Sequence, residues 1–69
     1  MDYRKLRGKI KEIFDTNADF AKAMELYPST LSFKLNGKSE WTTNEIVKAC
    51  DLLNIPLVDA HLYFFTLKV

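Results

Sequence analysis

Cysteine occurs once in this 69-residue chain, at Cys50, and histidine once, at His61. A single thiol excludes an internal disulfide and suits a reducing compartment. One thiol and one imidazole also leave no Cys/His set with the spacing of a metal site. Glycine and proline are scarce, two of each, so there is no Gly-rich phosphate loop, no linker and no low-complexity tract. No apolar run approaches the roughly 20 residues needed to span a bilayer. The opening MDYRKLRGK lacks the apolar stretch of a secretory signal, so a cytoplasmic protein without membrane action is expected. Neither charge dominates: ten basic residues against nine acids leave +1, which argues against a uniformly basic nucleic-acid binder.

What is present points to a folded domain. A composition 48% hydrophobic and 28% charged is that of a compact soluble chain and not a disordered one. The length allows one domain with a modest core. Charge is unevenly spread. Residues 1–38 hold eight basic residues against five acids, and residues 39–69 hold two against four. That asymmetry would let a basic half face phosphates, although ordinary solvated helix surface reads the same way for the segment 4–11.

Apolar spacing divides the chain into five helices, an all-α pattern. The first is expected over about 3–14, burying Leu6, Ile10 and either Ile13 or Phe14; Gly8 weakens it or marks a close backbone approach. Thr16 with Asp19 reads as a capping box opening a second helix over about 17–25, with Phe20, Ala21 and Met24 on one face. Pro28, which lacks an N–H, suits the first turn of a third helix over about 28–35. Leu31 and Leu35 give that helix its apolar side, and Asn36-Gly37 a left-handed stop. Thr42 with Glu45 is a second capping box, and Trp41 is placed to staple against Ile46. Ile46, Val47, Cys50 and Leu53 should line the inner side of the fourth helix, closing at Asn54. A short fifth helix, about 57–62, leads to an apolar tail, 63–67. That tail either covers the core or pairs with a second copy of the chain.

The two short helices across residues 16–38 resemble the helix-turn-helix of the phage Cro and C1-type repressors. Three further runs, MDYRKLRGKI, LNGKSEW and IPLVDAHLYFF, resemble small phage regulators from Gram-positive hosts that sit in lysogeny switches. The resemblance implies a compact, five-helix, lambda-repressor-like domain occupying residues 1–69 of a cytoplasmic bacterial-host protein. It also implies that the third helix enters the major groove of double-stranded operator DNA. Pro28, Ser29, Thr30 and Phe33 would then face base edges, with Lys34 near enough for a phosphate or guanine. Asn17 and Lys38 would hold phosphates, and dimerisation through the aromatic tail 62–67 would set the half-site spacing.

Departures from the family pattern weaken base reading and leave a protein partner as the alternative to operator DNA. Glu25 stands where the turn usually has glycine, and Tyr27 where a small polar cap precedes the third helix. Pro28 and Phe33 also replace the bidentate amide or guanidinium side chains that read bases strongly. A helix exposing Tyr27, Pro28 and Phe33 suits a protein surface, since aromatic anchors dominate protein–protein hot spots. Some members of this regulator class are modulators of repression, antirepressors that bind a partner repressor. Catalysis and cofactors are not expected. His61 and Asp59, two apart on a helix, do not face each other, and Cys50 lies on an apolar face as an inert thiol.

Overall fold

Spacings of three and four between apolar residues require helices whose buried stripes meet in one core. The computed structural model describes residues 3–64 and contains five such helices. They are α1 (Arg4–Phe14), α2 (Asn17–Met24), α3 (Pro28–Leu35), α4 (Thr43–Leu52) and α5 (Ala60–Phe64), with a 3-10 turn at Leu57–Asp59 leading into α5. No strand occurs among the described residues, so the fold is all-α.

Each helix contributes the face its sequence marks. Leu6 and Ile10 of α1, Phe20 and Ala21 of α2, Leu31 of α3, Ala49 and Cys50 of α4 and Phe64 of α5 are essentially inaccessible to solvent. Of the two candidates ending the α1 stripe, Phe14 packs on the Phe20 ring at 5.3 Å between centroids, while Ile13 is 37% exposed. Val47 does not line the inner side of α4. It is 45% exposed, because Ile46, Ala49, Cys50 and Leu53 already complete that face. Trp41 packs edge-on to Phe64 at 5.0 Å and leans on Tyr3.

Backbone chemistry ends the helices in a repeated way. Thr16 Oγ1 accepts from the Asp19 N–H at 3.1 Å, and the Thr42–Glu45 box closes in both directions. After α2, α3 and α4 the chain turns through a single left-handed residue, respectively Glu25 (φ 62), Gly37 (φ 75) and Asn54 (φ 57). At each turn the following N–H reaches five residues back: Leu26 to Ala21, Lys38 to Phe33 and Ile55 to Cys50. These paired bonds satisfy last-turn carbonyls that have no partner within the helix. A fourth positive-φ residue, Asp15 (φ 71), follows α1.

One charged side chain lies inside this framework. Lys34, in the last turn of α3, is only 7% exposed. Its ammonium donates to the Glu40 carbonyl at 2.8 Å, pairs with Glu45 Oε1 at 2.9 Å and lies 5.9 Å from the Trp41 ring centroid. The same Glu45 oxygen accepts the Thr42 N–H at 2.9 Å. Burial pushes the Glu45 carboxyl upward. The Thr42 backbone N–H and the Lys34 ammonium outweigh that effect and hold it below its ordinary value of 4.5.

Two measurements test these assignments. A Cβ added at Gly8 would meet nothing within 4 Å, so no neighbouring backbone requires glycine there. Gly8→Ala should therefore stabilise the fold by about 0.5–1 kcal/mol in a denaturant titration. Lys34→Met should destabilise it by about 1–3 kcal/mol, because Glu45 loses its cation. Since the Glu45 carboxyl is depressed on folding, its contribution is present above pH 4.5 and lost as the pH falls through the lowered value. The substitution should flatten that acid-side loss, and an unchanged slope would exclude the pairing.

Candidate functional site

The site follows from how α3 is entered and left. Glu25 adopts the left-handed conformation that glycine would supply, so the tight turn survives its replacement. Its carboxylate reaches the Lys48 ammonium at 3.6 Å, an exposed and weak pair. Tyr27 precedes α3 in extended backbone and makes no side-chain cap bond, and Pro28 occupies the first turn. Tyr27, Pro28 and Ser29 are all exposed, so the leading end of α3 faces solvent.

Here the structure gathers most of the residues marked from the sequence. Tyr27 is 80% exposed, Phe33 51%, Pro28 and Ser29 are exposed, and Thr30 is half-buried. Asn17 is exposed at the start of α2 and Lys38 just beyond α3. Lys34 is not part of this surface. The expectation that it contacts a base or phosphate is corrected by its burial and by the Glu45 and Glu40 oxygens that hold its ammonium. An eight-residue helix directs a side chain in its last turn to one side only, and for Lys34 that side is inward.

The basic segment 4–11 is likewise engaged within the chain. Arg7 Nη2 donates to the Leu35 carbonyl and to Asn36 Oδ1, each at 2.9 Å. Lys9 pairs with Glu12 at 3.2 Å and Lys11 with Asp15 at 3.5 Å. Lys5 sits 6.0 Å from the Tyr63 ring centroid. The positive excess read from residues 1–38 is thus partly spent on neighbours.

A second exposed apolar area involves α4 and the turn before α5. Val47, Leu57 and Val58 are 45%, 60% and 80% exposed. The first two border an open cleft of about 460 Å³, shared with Asn44, Lys48, Cys50, Asp51 and Ile55. Cys50 is itself buried, and burial pushes its thiol up and away from the reactive thiolate. The His61 ring lies 3.0 Å from the Val58 carbonyl, in the preceding turn. Among the described residues no group of His, Cys, Asp and Glu could hold a metal ion. No described helix is long and apolar enough to cross a membrane.

Of the tail assigned to dimerisation, residues 62–67, the half at 65–67 lies outside the described residues. Of its described members, Phe64 is 2% exposed against Trp41 and belongs to its own chain's core, while Leu62 is 40% exposed. Arg7 and Glu45 were missed as partners of α3. Each lies about 11 to 28 residues from its contact, beyond the reach of helical periodicity.

The chain matches the family described as "Protein of unknown function (DUF739)" over residues 1–67. Among solved structures it is similar to the solution structure of the modulator of repression (MOR) of the temperate bacteriophage TP901-1 from Lactococcus lactis. Identity is 46%, the TM-score is 0.84, and the similarity covers 99% of this chain and 92% of that one. No curated protein sequence matches. With the family matched over nearly its whole length, and a small phage regulator sharing its fold at that identity, the chain belongs to the DUF739 family.

Proposed function

We propose that the chain is a modulator of phage repression that binds a partner repressor protein through the exposed side of α3. One observation carries this reading: α3 presents aromatic rings to solvent and turns its cation inward. Tyr27 and Phe33 are 80% and 51% exposed, whereas Lys34 is 7% exposed and neutralised by Glu45. Aromatic side chains flanking a proline supply large contact area at low entropic cost, which is the composition of protein–protein hot spots. The 46% identity to a modulator of repression supports the same reading.

A second reading, direct binding of operator DNA by a helix-turn-helix, is favoured by a different observation. Asn17, Ser29 and Lys38 are all exposed, and the resemblance to Cro and C1-type repressors assigns them to phosphates and base edges. Without Lys34, Pro28, Ser29, Thr30 and Phe33 remain at the base-facing positions, and the proline has no side-chain donor or acceptor. Hydroxyl and methyl contacts discriminate bases less than a bidentate pair worth about 1–3 kcal/mol.

The readings differ in what salt and mutation do. For repressor binding, Phe33→Ala should weaken the complex by about 2 kcal/mol, roughly thirtyfold, with little dependence on ionic strength. For operator binding, Lys38→Ala should weaken binding to every sequence and reduce the logarithmic salt slope by about 1. Titrating the purified protein against the adjacent phage repressor, and separately against the upstream intergenic DNA, at two salt concentrations decides between them. A DNA shift at low salt with no co-elution of repressor would overturn the proposal.

A further inference from the structure

The α3 helix is short, and its backbone packs closely along α2 with at most marginal approach to the other helices. Leu31 and Leu35 seat the inner side of α3 in the shared core, and the angle of its last turn is set by what else holds that end. Two cations provide the hold. Lys34 runs to the start of α4, and Arg7 reaches across from α1. The guanidinium contact is specific in its acceptors. Arg7 Nη2 donates at 2.9 Å to the Leu35 carbonyl, in the last turn of α3, and at 2.9 Å to Asn36 Oδ1, the residue that ends it. Asn36 Nδ2 lies 3.4 Å from Ser32 Oγ, so the amide bearing that acceptor is itself held near the helix.

Physical chemistry favours a cation here. The last carbonyls of a helix lack intrahelical donors and carry the negative end of its dipole. A charge-assisted bond to such a carbonyl is stronger than a neutral one. The planar guanidinium also keeps its donors in fixed directions, so an arginine holds an angle that a flexible ammonium does not. We propose that Arg7 is a positioning residue for the α3 surface: its guanidinium clamps the C-terminal end of α3 to α1 and fixes the angle at which Tyr27 and Phe33 are presented. The clamp stands on geometry alone, and its consequence for binding rests on the repressor reading given above.

The test uses the full chain and three variants, Arg7→Met, Arg7→Lys and Asn36→Ala, the last being milder should Arg7→Met fail to fold. Residue-resolved amide exchange is measured first. Arg7→Met should speed exchange of the amides at 32–36 by about tenfold, with α4 unchanged. Arg7→Lys and Asn36→Ala should fall between it and the wild type. Affinity for the adjacent phage repressor should drop by about tenfold in Arg7→Met and recover in part in Arg7→Lys. Unchanged exchange at 32–36, or a rise shared equally by every helix, overturns the clamp. Faster local exchange with undiminished repressor affinity overturns the positioning role. A wild-type protein that binds no repressor sinks the docking reading of α3 instead, and the exchange data then decide the clamp by themselves.

Discussion

The ion pair between Lys34 and Glu45 is the constraint around which this small fold is arranged. An ammonium that is 7% exposed must find oxygen on every open side, because a buried, unpaired cation costs several kcal/mol. It finds the Glu45 carboxylate and the Glu40 carbonyl, and it lies beside the Trp41 ring. Satisfying those contacts brings the end of α3 against the loop 38–42 and the start of α4. Glu45 contributes twice, since the oxygen that meets Lys34 also caps the Thr42 N–H. Helix initiation in α4 and placement of α3 are therefore one electrostatic arrangement.

That arrangement decides what the surface can offer. Lys34 is turned in and Arg7 is bound to the end of α3, so both cations hold the helix, while Asn17 and Lys38 stay exposed. The outer face keeps Tyr27, Pro28, Ser29 and Phe33. On the reading proposed above, this surface of rings and hydroxyls beside the Glu25 carboxylate receives another protein and not a polyanion. The similarity to a modulator of repression over nearly the whole chain agrees with that chemistry.

Much of the architecture was legible before any coordinates. Caps and stops are local chemistry: Thr16 with Asp19, Thr42 with Glu45, Pro28 at a first turn and Gly37 and Asn54 at left-handed ends each act within a few residues. For Tyr27 and Phe33 the sequence left two stations open, outward or folded back on the core, and the structure places both outward. Leu31 and Leu35 claim one side of α3, and residues off that stripe face away. Where periodicity allowed two answers it could not choose. Ile13 and Phe14 both fit the α1 stripe, and the Phe20 ring settled it. Val47 fits the α4 stripe until Ile46, Ala49, Cys50 and Leu53 have filled the space.

The amino-acid order by itself determined that this chain is helical and placed the ends of the first four helices to within a residue or two, whereas the fifth, expected over about 57–62, opens as a 3-10 turn at Leu57–Asp59 and becomes α-helical only at Ala60–Phe64. Those properties depend on hydrogen bonds and side-chain spacing within a turn or two. Only the tertiary structure decided the fate of the charges. Lys34 and Arg7 look like solvent-facing cations in a linear reading; Lys34 is buried against Glu45 and Glu40, and Arg7, still exposed, is engaged by the Leu35 carbonyl, because the fold brings those groups to them. Ion pairing acts through space between residues far apart in the chain, and no repeat of three or four records it.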